Sequence, residues 1–241
     1  MKNIDRRKFL KISGSLAVGS VILSVVGNGL WKMFSNPGEL FYGSKRAKGF
    51  ELMEEEQGFV SPYRRTFGFM VPDEITAFEV VEGSIYIATP NNIYIYGLSG
   101  ELQTNFPVPS DLRDIAVYDG NIYALYPTRI EVYDRQGDLK KDWEACSDNS
   151  DYCSLAVCKD GVFVTDASNK NICKYNIDGT LARFINSPKG FIVPSYCFAI
   201  TIMDGKVFCS NPGRHLVEQY TMNGDFVASF GKSGAGKGEF S

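Results

Sequence analysis

The stretch Ile115-Ala116-Val117-Tyr118-Asp119-Gly120-Asn121-Ile122-Tyr123-Ala124, followed by Ile130-Glu131-Val132-Tyr133 and Gly137, decides the fold because its pattern returns four times. Before it stand Thr76-Ala77-Phe78, Gly83, Ile85-Tyr86-Ile87, Ile93-Tyr94-Ile95-Tyr96 and Gly100. After it come Leu155-Ala156-Val157, Gly161, Val162-Phe163-Val164, Ile172-Cys173-Lys174-Tyr175 and Gly179. The fourth copy is Ala199-Ile200-Thr201, Gly205, Val207-Phe208-Cys209, Leu216-Val217-Glu218-Gln219-Tyr220 and Gly224. The closing glycines stand at 100, 137, 179 and 224, at separations of 37, 42 and 45 residues. Each copy strings β-branched and aromatic residues between Glu-Gly, Asp-Gly, Ser-Gly or Asn-Gly pairs, the chemistry of tight hairpins rather than of helices.

Four short strands per unit at a period near 40 are the sequence form of a β-propeller blade, an all-β unit that must stack on its neighbours to bury both faces. The run Arg214-His215-Leu216-Val217-Glu218-Gln219-Tyr220-Thr221-Met222-Asn223-Gly224 resembles the NHL repeat, in which an Asn-His-Leu-like element opens the third strand. The other three units carry Asn92, Arg129 and Asn171 where this one has His215. The resemblance covers residues 75 to 240 and implies a ring of about six blades, with His215 bracing one strand against the next. Phe230-Gly231 and Gly238-Glu239-Phe240 are of the kind that introduces another blade in that family. An open four-blade arc leaves unpaired edges, so the chain is expected to be part of a longer propeller. Tyr63 to Val71 is expected to supply an outer strand that completes the last blade.

Ahead of the repeat, Asp5-Arg6-Arg7-Lys8-Phe9-Leu10-Lys11 resembles the twin-arginine signal for export of folded proteins, with Arg6, Arg7, Phe9, Leu10 and Lys11 in the pattern and Asp5 in place of its hydroxyl residue. The resemblance implies the twin-arginine translocase as a partner during export and a periplasmic or cell-envelope location. Ile12 to Trp31 holds no charge and approaches the ~20 residues of a spanning helix, while its glycines and serines lower its hydrophobicity. Two outcomes stay open: cleavage before Asn28, or retention as an anchor in the inner membrane. The organisation expected is therefore a signal or anchor over 1–35, a linker over 36–62 and an incomplete propeller over 63–241.

A net charge of −3 and a pI near 5.3 offer no basic field for nucleic acid. With one histidine and no Cys-x-x-Cys, no zinc or iron–sulfur spacing is present and no cofactor site is visible. Gly231-Lys232-Ser233-Gly234-Ala235-Gly236-Lys237-Gly238 matches a phosphate-loop pattern, but Gly238 stands where a magnesium-binding hydroxyl is required, so a flexible loop is expected. Cys146 and Cys153 bracket a polar loop and form the disulfide candidate in an oxidising compartment. Cys158, Cys173, Cys197 and Cys209 read as small hydrophobes. The same loop, with Asp148 and Asp151, is weighed for calcium and read instead as a solvated turn. Loops after Ala88, Leu125, Val164 and Cys209 are equivalent by phase, so Arg129, Asp166 and Arg214 are expected to make polar contacts on one face. The leading expectation is a non-enzymatic module that binds a protein, peptide or glycan. The alternative is a metal-dependent lyase or lactonase of the six-bladed type, with part of its site on further blades.

Overall fold

A computed structural model describes residues 68–194 and 197–240. They form four antiparallel sheets of four strands, each a meander in chain order. Blade 1 comprises β1 (Ala77–Val81), β2 (Ser84–Ala88), β3 (Asn92–Gly97) and β4 (Leu102–Pro107); blade 2 comprises β5 (Asp114–Tyr118), β6 (Asn121–Tyr126), β7 (Arg129–Tyr133) and β8 (Leu139–Glu144). Blade 3 comprises β9 (Tyr152–Cys158), β10 (Gly161–Asp166), β11 (Asn171–Tyr175) and β12 (Leu181–Ile185); blade 4 comprises β13 (Ile200–Met203), β14 (Lys206–Asn211), β15 (Leu216–Thr221) and β16 (Phe226–Phe230). The first strands of successive blades are neighbours, β1 beside β5, β5 beside β9 and β9 beside β13. They are therefore the inner strands, and the fourth strands are the outer ones. The expected all-β propeller architecture is the one observed.

The hairpins correct the alignment of the units. Asp119 and Gly120 both have positive φ between β5 and β6, as do Glu82–Gly83 and Asp204–Gly205 in their blades, the two-residue turn that matches strand twist. In blade 3 the turn is Lys159–Asp160, and Gly161 is already the first residue of β10, paired with Cys158. With the turns superposed, Phe78 and Ile200 take the place of Ile115, not Thr76 and Ala199. The one-residue shift in the fourth unit reverses which face each side chain meets, whereas the two-residue shift in the first keeps the face, and only the ladder shows either.

Blades stack by a repeated knob. Phe106, Trp143 and Ile185 occupy the same site on β4, β8 and β12, paired with Ile93, Ile130 and Ile172. Each lies over the closing turn of the next blade, where a Cβ on Gly137 would come within 2.5 Å of the Phe106 ring. Gly179 meets the Trp143 indole and Gly224 the Ile185 side chain in the same way. These glycines thus answer to two demands, a positive φ and a neighbour with no room for a side chain. Along the otherwise exposed outer strands the knob is the buried residue.

Residues 68–71, the described part of the expected closing strand, belong to no strand. Phe69 instead packs on Tyr96 with ring centroids 4.5 Å apart, and Val71 is buried beside Tyr94 and Tyr96. The twin-arginine run and the apolar stretch behind it lie outside the described residues. Among the described residues no helix is long and apolar enough to cross a membrane.

Candidate functional site

Polar chemistry concentrates where the inner strands begin and where the crossovers between blades run. Asp114 opens β5. Its Oδ2 accepts the Ser154 hydroxyl at 2.9 Å and the Leu155 N–H at 3.0 Å, both on β9 of the next blade, while Oδ1 accepts the Ile115 N–H at 2.9 Å. Ser154 holds the equivalent place in blade 3, and its hydroxyl reaches the Ile200 N–H of blade 4 at 3.5 Å. Blade 1 has Ala77 there and fastens differently, with Glu79 Oε2 accepting the Val117 N–H at 2.5 Å. Asp114 is half-buried as a residue, but its carboxyl lies inside the blade interface, and that burial pushes its pKa up to about 6 despite three donated hydrogen bonds. Such a group exchanges a proton near neutrality. Beside it, Arg113 pairs with Asp151 at 2.5 Å and donates to the Tyr152 carbonyl at 2.6 Å. Asp151 is thus held by a guanidinium rather than left open in a solvated turn.

The three residues expected to contact a ligand stand at the same rim of successive blades, between second and third strands, and each is engaged within the fold. Arg129 donates from Nε to Glu131 at 2.7 Å and lies 4.0 Å over the Tyr126 ring. Asp166 is fully buried and accepts the backbone N–H groups of Asp151 and Asn169 and the Asn169 amide. Arg214 clasps the carbonyls of Lys189 and Gly190. His215 adopts a left-handed conformation (φ 54°) and closes the short 3-10 turn Pro212–Arg214 through its backbone N–H. Sequence reasoning missed Asp114 and Arg113, because a charged pair just ahead of an apolar strand reads as an ordinary strand entrance.

The Cys146–Cys153 bridge is not formed; no disulfide is closed among the described residues. Cys146 packs with the cluster between blades 2 and 3, whereas Cys153 faces the cluster between blades 3 and 4. The sheet of blade 3 separates them. Cys146 Sγ instead lies 2.7 Å from Cys173 Sγ. These two sulfurs and Asp166 are a set of three donor atoms within 4.8 Å of one another. The set lies on β10, β11 and the crossover after β8, and it does not fit a hard divalent cation: two donors are soft thiols, and the carboxylate is occupied by three N–H groups. The glycine-rich run after β16 folds on itself, Glu239 accepting from Lys232 and from the Gly236 N–H at 2.7 Å each, with no helix to receive a phosphate. A shallow groove lined by Val81, Glu82, Val117, Tyr118 and Asp119 lies at the opposite rim.

No protein-family model and no curated protein matches the sequence. Among solved structures, the chain is similar to a streptogramin B lyase, with a TM-score of 0.55 and 18% identity over 67% of this chain and 56% of that one. A virginiamycin B lyase from Staphylococcus aureus gives 0.54 and 18% over 65% and 55%. The Pan2 WD40 domain of Neurospora crassa gives 0.53 and 10% over 66% and 51%. The chain spans about half the length of these proteins. At such identity the likeness establishes the propeller-like fold. It also corrects the expectation of a non-enzymatic binding module: two of these three structures are lyases, which favours the alternative.

Proposed function

We propose that this arc of blades belongs to an exported propeller enzyme of the lyase class. The observation that carries the reading is the likeness of about two thirds of this chain to streptogramin B and virginiamycin B lyases. Asp114 adds a buried carboxyl of raised pKa at the head of the inner strands, where it fastens blade 2 to blade 3. The described residues supply no ligand set for a divalent cation on the inner strands, so no step of this proposal runs through a metal.

The test is turnover by the full-length protein recovered from its source. It is incubated with a type B streptogramin and a panel of cyclic esters, with magnesium or with chelator, and the products are weighed by mass spectrometry. Conversion of a substrate to a product of equal mass with a new double bond supports a lyase. Recovery of all substrates unchanged in both media overturns the reading.

The proposed location is the cell envelope, reached by the twin-arginine route, and the blades are proposed to be of the NHL type. Support for the route comes from the run Arg6 to Lys11. Replacing Arg6 and Arg7 together by Lys is expected to leave the protein in the cytoplasmic fraction; unchanged export removes the assignment.

A further inference from the structure

Two pairs of cysteine sulfurs flank the sheet of blade 3. On the side of blade 2, Cys146 Sγ lies 2.7 Å from Cys173 Sγ. On the side of blade 4, Cys153 and Cys197 pack in one cluster, close enough that each thiol shifts the acidity of the other. Each pair joins a crossover to a strand of blade 3: Cys146 follows β8 and meets β11, and Cys197 precedes β13 and meets β9.

The first pair occupies a site where other blades carry a polar clamp. Ahead of blade 1, Asp73 accepts the Tyr94 hydroxyl at 2.7 Å, and ahead of blade 4, Ser187 donates to Glu218 at 2.7 Å. Tyr94, Cys173 and Glu218 are equivalent third-strand residues, each paired with the fourth strand two residues or fewer from the knob. Blade 3 thus has sulfur on both sides of a contact that is a hydrogen bond in blades 1 and 4. Two thiolates on one tetrahedral metal, each about 2.3 Å from it, stand roughly 3.7 Å apart, farther than this pair. A disulfide at about 2.05 Å requires only a small further approach. Cys146 and Cys197 are half-exposed while their partners are buried, so each pair presents one sulfur to a reagent.

We propose that Cys146 with Cys173, and Cys153 with Cys197, are oxidised to two disulfides that staple blade 3 to the crossovers on either side of it. The oxidant is an external disulfide, either a small-molecule one such as oxidised glutathione or that of a thiol oxidoreductase. The thiolate of the half-exposed cysteine attacks one sulfur of that disulfide, whose S–S bond breaks and releases one thiolate. The partner cysteine, as thiolate, then attacks the protein sulfur of the mixed disulfide and displaces the second. For each staple, two protein thiols lose two electrons and two protons, and the external disulfide gains both as two thiols. Cys158 and Cys209 remain thiols.

The test uses the full chain equilibrated in glutathione buffers from fully reduced to fully oxidised, then alkylated and digested without reduction. In the oxidised buffer alkylation is expected on Cys158 and Cys209 alone, with cross-linked peptides joining Cys146 to Cys173 and Cys153 to Cys197. Cys173→Ser is expected to free Cys146 for alkylation and to leave the other link in place; because the mapping is read on the wild-type chain, a misfolded variant does not blunt it. A Cys146–Cys153 link, or alkylation of all six cysteines in the most oxidising buffer, overturns the proposal. So does one bound zinc per chain that shields Cys146 and Cys173 until a chelator removes it.

Discussion

The interface between blades 1 and 2 and the interface between blades 2 and 3 share their outer packing and part company along the inner strands. Outside, Phe106 fills the space over Gly137 just as Trp143 does over Gly179. Inside, blade 1 reaches across with Glu79 from the middle of β1, whereas blade 2 uses Asp114 at the start of β5, together with the neighbouring Arg113–Asp151 pair. The apolar knob is copied from unit to unit because every blade must bury the same face. The polar fastening belongs to each blade separately, and there the titratable and redox groups gather.

The strongest way to break the comparison is to remove the knobs. Trp143→Ala is expected to cost about 3–5 kcal/mol of unfolding free energy, and Phe106→Ala a comparable amount, read from urea denaturation. A cost under about 1 kcal/mol for Phe106→Ala would mean that the two outer interfaces are not alike. Gly179→Ala attacks the same contact from the other side, adding a Cβ at φ 97° against the Trp143 indole. Its expected cost is about 2–4 kcal/mol, most of it recovered when Trp143 is also reduced to Ala if steric overlap is the larger part.

Sharpening the inner difference requires pH. The Asp114 carboxyl titrates near 6 when folded and near 3.9 when unfolded. A carboxyl raised on folding contributes stability that is full below the unfolded value and is lost as pH rises through the folded one. The wild-type chain is therefore expected to lose about 2–3 kcal/mol relative to Asp114→Asn between pH 4 and pH 7. A parallel pH dependence in the two proteins would remove Asp114 from this role. The smallest effect is expected of Arg113→Ala, since the side chains of its ion pair with Asp151 are 36% and 29% exposed. About 1 kcal/mol is anticipated, with less of it remaining in high salt.

Much of the fold was legible in the chain. Alternating apolar residues located the strands, and Asp119-Gly120 announced its turn because few other pairs adopt two positive φ values in succession. The closing glycines were legible as turns, but not as sockets for Phe106, Trp143 and Ile185, since a socket is made by a residue from another blade. The same limit explains the cysteines. Cys146 and Cys153 are close along the chain, yet β9 carries Cys153 onto the far face of blade 3, and Cys146 meets a residue 27 positions away. Asp114 was invisible for a related reason: its altered acidity comes from burial beneath Ser154 and Leu155 of the next blade. Arg129, Asp166 and Arg214 stand between second and third strands of successive blades, and their hydrogen-bond partners could not be read from phase alone.

Taken by itself, the sequence determined that four-stranded units recur and that their turns are tight, because strand alternation and turn chemistry are local properties written in consecutive residues. It did not determine the register of the first and fourth units, the partners of the sulfurs or the acidity of Asp114. Those were decided by the tertiary structure, which brings residues some 30 to 50 positions apart into contact across blade interfaces and withdraws their polar groups from water.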